Sequence, residues 1–415
     1  MNTPKSLRTH ILFAGRVNSG KSTLVNLLAG QSVAITSHER GTTTDVVEKT
    51  MELRPAGPVV LLDSAGTDDD STLGTLRVER TFKAMKRADV LVIVTIPGAW
   101  GEPEQELLSA AAEQKLPVIT VVNKSDTVPE EEVFSALPES KLPPIAVSAV
   151  DTSVANRDRF VGKFTSALLS ALPEEHFAAQ VLLQDLVPED GHVLMMVPID
   201  SQAPKGRLIL PQVQAIRDAL DGNAVCTVAK ESAFPEIYSR FHRHPDLVIC
   251  DSQVVKKMIE TIPDGIKCTT FSILMARMKG DLGQLASGAA AIASLKENDR
   301  VLIAEACTHH AGCEDIGRVK IPTLLQKKCG CKLNFDFYSG NDFPDDLASY
   351  AMVIHCGGCM LNRKTMLNRL HTVANADVPV VNYGVCLSYC TGVLNKVLSP
   401  FKISSGEPKD AMEQN

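Results

Sequence analysis

Gly15-Arg16-Val17-Asn18-Ser19-Gly20-Lys21-Ser22 follows the apolar run Ile11-Leu12-Phe13-Ala14 and precedes a helical pattern through Leu28. This is G-x-x-x-x-G-K-S between a strand and a helix. Its glycines let backbone N–H groups wrap phosphate oxygens, and the helix N-terminus adds its dipole. Lys21 is expected to reach the β- and γ-phosphates and the Ser22 hydroxyl to ligand Mg²⁺, with Gly15, Ser19, Gly20 and Thr23 completing the phosphate cradle. The stretch therefore predicts an α/β domain of the P-loop type.

Working outward, the rest of a nucleotide switch appears in order. Gly41-Thr42-Thr43-Thr44-Asp45 is a polar segment suited to a loop that closes over Mg²⁺ and the γ-phosphate. Apolar Val59–Leu62 leads into Asp63-Ser64-Ala65-Gly66, where Asp63 is expected to hold the Mg²⁺ shell and the Gly66 N–H to sense the γ-phosphate. Strand-like runs Val90–Thr95 and Val118–Val122 follow, the second ending at Asn123-Lys124-Ser125-Asp126. Ile145–Val147 then ends at Ser148-Ala149. In N-K-x-D the Asp126 carboxylate accepts two hydrogen bonds from a guanine edge. Adenine does not offer that pair, so the expected nucleotide is GTP. Thr67, rather than glutamine, follows Gly66, so the attacking water must be placed by other means. Lys21, Thr43, Asp63 and Gly66 are the candidate catalytic residues.

The chain has 415 residues, 44% of them hydrophobic and 22% charged, which predicts more than one ordinary globular domain. Its net charge of −7 argues against a large nucleic-acid footprint. The segment from Met1 to His10 is polar, and the longest apolar runs fall far short of a membrane span. The expectation is a cytoplasmic protein with no membrane or nucleic-acid partner.

Leu172-Pro173-Glu174-Glu175 reads as a linker. Beyond it, short apolar strands at His192–Ile199, Val225–Val228 and Leu247–Cys250 alternate with helical patterns at Val213–Leu220, Pro235–His242 and Val254–Ile262. Such alternation predicts a small parallel sheet. No catalytic constellation stands out there, which suggests an assembly role. A helix over Leu282–Leu295 and strands at Val301–Glu305, Leu333–Phe337, Ala351–Ile354 and Val378–Val381 make a further α/β unit. The expected division is a GTPase domain at 1–172, a second domain at 177–265, a third at 266–400 and a tail at 401–415. The expected fold class is α/β in three domains, a P-loop GTPase followed by two smaller parallel-sheet units.

All eleven cysteines lie after residue 225. Cys307-Thr308-His309 and His355-Cys356-Gly357-Gly358-Cys359 each stand just past a predicted strand. In a parallel sheet both would meet at the carboxyl edge, where open α/β sheets bind ligands. Cys307, Cys356 and Cys359, with His309 and His355 beside them, admit three readings from spacing alone. These are structural zinc, an iron–sulfur cluster and a redox dithiol. Cys313, Cys329, Cys331, Cys386 and Cys390 have no assigned role.

Asn18 and the G-T-T-x-D form of the switch resemble the TrmE-Era class of GTPases. That resemblance implies that Asn18 helps bind K⁺ and that Thr43 is the Mg²⁺-side threonine. The whole chain from about residue 7 to 400 resembles the FeFe-hydrogenase maturation GTPases. The resemblance rests on the GTPase motifs, on Ala203-Pro204-Lys205-Gly206-Arg207 with Leu208–Val213, and on Phe271-Ser272-Ile273-Leu274 with Lys279-Gly280-Asp281-Leu282. It rests also on C-x-H followed far downstream by H-C-x-x-C. It implies a GTPase, a dimerisation and a cluster-binding domain, and a 4Fe–4S cluster held by Cys307, Cys356 and Cys359. His309 and His355 are then candidates for the exchangeable fourth position. The resemblance further implies a homodimer that receives a two-iron precursor made by two radical-SAM maturases. The apo FeFe-hydrogenase would be the recipient. The competing expectation is an RNA- or ribosome-associated GTPase with a structural zinc site.

Overall fold

The computed structural model describes residues 3–30, 46–67, 72–177, 181–199, 208–306, 315–340, 343–344 and 346–403. They form two compact units, Met1–Ala179 and Gln180–Asn415.

The first unit is built on a six-stranded sheet. Its strands are β1 (Thr9–Ala14), β2 (Val47–Leu53), β3 (Gly57–Asp63), β4 (Val90–Thr95), β5 (Val118–Val122) and β6 (Ile145–Ala146), in the order β2-β3-β1-β4-β5-β6. Only β2 runs antiparallel, against β3. β1 and β4 are buried at every position, which is why they read as unbroken apolar runs rather than alternating ones. β2, at the edge and half exposed, carries Glu48, Lys49 and Glu52 and gave no such signal. The Lys21–Ala29 and Val154–Ala171 helices close one side, where Phe164 stacks on Phe13 and Phe160 packs tilted against Phe164.

The second unit holds two four-stranded sheets, both wholly parallel. The first contains β7 (His192–Val197), β8 (Val225–Lys230), β9 (Leu247–Cys250) and β10 (Cys268–Thr270), in the order β10-β9-β7-β8. The second contains β11 (Arg300–Ala304), β12 (Asn334–Tyr338), β13 (Met352–His355) and β14 (Val380–Asn382), in the order β12-β11-β13-β14. The expected α/β class, with a P-loop domain followed by parallel-sheet units, is what the chain forms.

Helix Phe271–Lys279 joins the two sheets of this unit. Seven of its nine residues are buried. Phe271, Leu274, Met275 and Met278 pack with β7 and β9 residues, while Ile273 and Ala276 enter the core that includes β11 and β13. Thr270 caps it, its hydroxyl accepting from the Ile273 N–H at 3.2 Å. A helix buried on nearly every side shows little amphipathic period, so its sequence does not announce it.

Two expectations need correction. The predicted continuous helix Leu282–Leu295 is broken into an α-helix, Leu282–Ser287, and a 3₁₀ stretch, Gly288–Ser294. At the break Gly288 lies against β14 so closely that a Cβ would sit 2.1 Å from the Val380 carbonyl oxygen. The chain also does not end its last domain at a strand: helix Tyr383–Cys390 follows β14, capped by Asn382, whose Oδ1 accepts from the Val385 N–H at 2.8 Å.

Candidate functional site

The nucleotide loops of the first unit gather at the carboxyl edge of its sheet. The phosphate loop leaves β1 at Gly15, whose φ of +148° and 2.1 Å Cβ approach to the Val94 carbonyl oxygen both demand glycine. Asn18 takes a left-handed conformation, φ +62°, which asparagine tolerates better than most residues. Gly20, also left-handed, starts helix Lys21–Ala29. Lys21 is buried, and its Nζ donates to the carbonyls of Gly15 at 2.9 Å and Arg16 at 2.7 Å.

Asn123 ties three loops together. Its Nδ2 donates to the Ser19 carbonyl at 2.9 Å, and its Oδ1 accepts from the Ala149 N–H at 2.9 Å. The first asparagine of N-K-x-D thus acts as a brace between the phosphate loop and the Ser148-Ala149 turn. Lys124 beside it is left-handed, and Asp126 sits exposed on the Ser125–Thr127 turn. The Ser125 N–H reaches the Val147 carbonyl at 3.2 Å, and Asn156 Nδ2 donates to the Ser148 carbonyl at 2.9 Å.

Asp63 ends β3 opposite Phe13 of β1. Burial pushes its carboxyl pKa up, against a hydrogen bond from Ser22 and the Lys21 charge. Its Oδ1 is buried with no hydrogen-bond partner among the described residues. A desolvated carboxylate oxygen beside the hydroxyl of Ser22 is a donor set that fits Mg²⁺ and its water shell. Gly66 lies against Val17, whose N would stand 2.6 Å from an added Cβ, and the Thr67 N–H donates to the Gly15 carbonyl at 3.2 Å. The D-x-x-G element is thereby stitched to the phosphate loop. Ser22 and Thr23 are exposed at the helix start. Thr43 and its neighbours lie outside the described residues.

One pair was not legible in the sequence. Arg16 donates to both carboxylate oxygens of Glu104 at 2.9 to 3.1 Å, and Glu104 is fully buried. Glu104 also accepts from the Gly101 N–H at 3.0 Å. The pair anchors the phosphate loop to helix Glu102–Glu113, 88 residues away in sequence.

The thiol site lies in the second unit. β11 and β13 are adjacent and parallel, with Ala304 opposite His355. The H-C-x-x-C run therefore does leave the carboxyl edge of a parallel sheet beside the chain that leads into Cys307. The Cys356 N–H donates to the Ala304 carbonyl at 2.8 Å. The Cys356 Sγ accepts from the N–H of Ala306 at 3.0 Å and of Gly358 at 3.5 Å. Gly358 is left-handed, φ +61°, and lets the loop turn over Met366. Burial raises the Cys359 thiol pKa, and the Lys279 charge draws it back. Cys307 and His309 lie outside the described residues, and no three metal-binding side chains converge among the described ones.

His355, one of the two candidates for the fourth position, is held within the chain. It is 1% exposed. Its Nδ1 donates to the Cys356 carbonyl at 2.7 Å, which leaves Nε2 to accept from Arg369 Nη1 at 3.1 Å. Burial, with the Arg369 charge, drops its pKa to about 4. Both ring nitrogens are engaged within the chain, so His355 acts as a brace for the loop. Backbone N–H groups aimed at a sulfur, and a cation behind the loop, suit an anionic thiolate-bound cluster. Of the unassigned cysteines, Cys386 is buried on helix Tyr383–Cys390 and hydrogen-bonds Cys390. Cys329 and Cys331 face the carbonyls of Ile292 and Leu295.

Sequence comparison adds to this picture. Residues 10–124 match the 50S ribosome-binding GTPase family. The tRNA modification GTPase MnmE of Legionella pneumophila (strain Corby) is 39% identical over 124 residues, covering 28% of this chain and 27% of that protein. MnmE of Synechococcus sp. (strain JA-3-3Ab) is 43% identical over 125 residues, covering 29% of this chain and 26% of that protein. The chain thus spans about a quarter of the length of these curated relatives. Among solved structures, Era of Aquifex aeolicus bound to GDP.AlF4− aligns with 20% identity over 53% of this chain and 92% of that one, at a TM-score of 0.33. Residues 182–280 match the hydrogen maturase F dimerization domain and residues 283–400 the hydrogen maturase F tetramerization domain. These two matches cover more than half of the 415 residues, and with a GTPase domain ahead of them the chain belongs to the hydrogen maturase F family.

Proposed function

We propose that this hydrogenase-maturation GTPase is a scaffold and carrier. It holds a 4Fe–4S cluster on Cys307, Cys356 and Cys359, receives a two-iron precursor from two radical-SAM maturases and passes it to apo FeFe-hydrogenase in the cytoplasm. The observation that carries the reading is the placement of Cys356 and Cys359 at the carboxyl edge of β13, with the Cys356 sulfur hydrogen-bonded to Ala306, the residue before Cys307. With His355 occupied as a brace, His309 is the histidine left for the fourth position. A cluster with one exchangeable position supplies a place to hold a guest through a bridging ligand and still release it.

In the first unit, Gly15, Ser19, Gly20, Lys21, Ser22 and Thr23 cradle the phosphates of GTP. Ser22, Thr43 and Asp63 hold Mg²⁺, Asn18 helps hold K⁺, and Gly66 senses the γ-phosphate. Asp126 reads guanine while Asn123, Lys124, Ser148 and Ala149 shape the base pocket. The working division is a GTPase domain at 1–172, then a dimerisation domain and a cluster domain, the boundary expected at 265/266 moving past β10, which pairs with β9. The β8 edge is the self-association surface.

The test is the iron, zinc and sulfide content of the protein purified without oxygen. About four irons with matching sulfide per chain are expected, and Cys356→Ala should remove them while GTP binding persists. One zinc with no sulfide would sink the scaffold reading and favour an RNA-associated GTPase with structural zinc.

A further inference from the structure

Lys279 is the last residue of helix Phe271–Lys279 and is 1% exposed. Its Nζ donates to the carbonyls of Gly358 at 3.2 Å, Cys359 at 2.9 Å and Leu361 at 2.8 Å. An ammonium carries three donors and no acceptor. Three carbonyls around one nitrogen therefore fit the charged form; a neutral amine would turn its lone pair on one of them. All three acceptors belong to the loop that carries Cys359 and follows Cys356. A buried lysine is costly unless its charge is answered. Three carbonyl dipoles meet part of that need, and the negative end of its own helix adds to it. No carboxylate pairs with it among the described residues, so the remaining partner for a full positive charge is negative charge on the loop's sulfurs.

We propose that Lys279 is a positioning residue for the cysteine loop and the built-in counter-charge of the cluster bound there, setting its reduction potential. This rests on the cluster reading above. A fixed cation beside an iron–sulfur cluster stabilises the more negative, reduced state, and net charge and hydrogen bonds near the sulfurs are the protein's levers on potential. The loop is held from the backbone side, so the charge acts on the cluster without being a ligand to it.

The experiment uses the full chain reconstituted with iron and sulfide without oxygen. The cluster's midpoint is measured by redox titration followed by electron paramagnetic resonance, in wild type, Lys279→Met and Lys279→Arg. Lys279→Met is expected to bind iron yet titrate at a lower potential. The reduced-to-oxidised ratio at a fixed poise should fall at least tenfold, about 59 mV for a one-electron couple. Lys279→Arg should restore most of the difference. Should the Met variant not accumulate as soluble protein, Lys279→Gln keeps a donor without the charge and gives the same reading. A wild-type potential in either neutral variant overturns the counter-charge role while leaving the cluster reading intact. Wild-type protein that takes up no iron and sulfide overturns the cluster reading itself, and this inference with it.

Discussion

At the residue scale, single polar side chains buried beside a loop decide how that loop sits. Asn123, His355 and Lys279 each satisfy backbone groups that water cannot reach. His10 shows the cost of such burial. It is 8% exposed, and its Nδ1 donates to the Arg8 carbonyl at 2.8 Å. Desolvation, with the Arg87 charge, brings its pKa down to about 4 from 6.5, against a raising hydrogen bond to Arg8. The folded pKa is the lower one, so the unfolded chain binds the proton first as pH falls. The contribution is complete above pH 6.5, declines between 6.5 and 4, and is lost and level below 4. The full effect is about 3 kcal/mol, from 1.36 kcal/mol per unit. Trp100, the single tryptophan, lies in the same unit and reports its unfolding. In urea titrations at pH 7 and pH 4.5, His10→Gln should lose less stability on acidification than wild type. Equal losses would mean that His10 does not carry the acid sensitivity.

At the scale of elements, close backbone approach shapes the second unit. Gly288 ends helix Leu282–Ser287 because β14 occupies the space a side chain would need. Gly288→Ala must push the Val380 carbonyl away and with it Asn382, whose Nδ2 donates to the Ser272 carbonyl at 2.9 Å. We expect about 1–3 kcal/mol of destabilisation in the second unit, read by hydrogen exchange of β14 amides, with GTP binding unchanged. A wild-type exchange rate would show that the strand yields freely. The same elements show what the sequence could and could not tell. The nucleotide loops were legible because each is a short polar run at the end of an apolar strand, and chemistry limits which residues serve there. β2 was missed because an edge strand carries charged residues. Helix Tyr383–Cys390 was missed because Gly384 through Tyr389 are buried on every side, which erases the helical period. Glu104 and Lys279 were illegible as site residues because their partners lie 88 and about 80 positions away. Nothing local marks a buried ion pair or a lysine that will face three carbonyls.

At the scale of the whole molecule, the unpaired edges of the sheets decide how copies can meet. β8 is the outer strand of its sheet, and no strand covers its free side among the described residues. Its burial is low for a strand in a wholly parallel sheet: Val225 is 59% and Val228 42% exposed. Leu220, on the helix that leads to it, is 56% exposed. A row of free N–H and C=O groups flanked by bare valines is a template for another strand, and monomeric proteins usually guard such an edge with lysine or proline. β8 ends in Lys230 but has no charge at its centre. Pairing with a second copy about a two-fold axis would bury these valines and extend the sheet. A two-fold axis pairs β8 antiparallel with the partner's β8, so lysines placed along it, together with Lys230, bring like charges across the seam, where they repel. Val225→Lys combined with Val228→Lys should therefore lower the mass seen by analytical ultracentrifugation toward that of one chain. GTP binding by the first unit should be kept, which distinguishes lost association from lost folding. An unchanged mass would place the contact on another face, and the exposed valines of β8 would need a different partner.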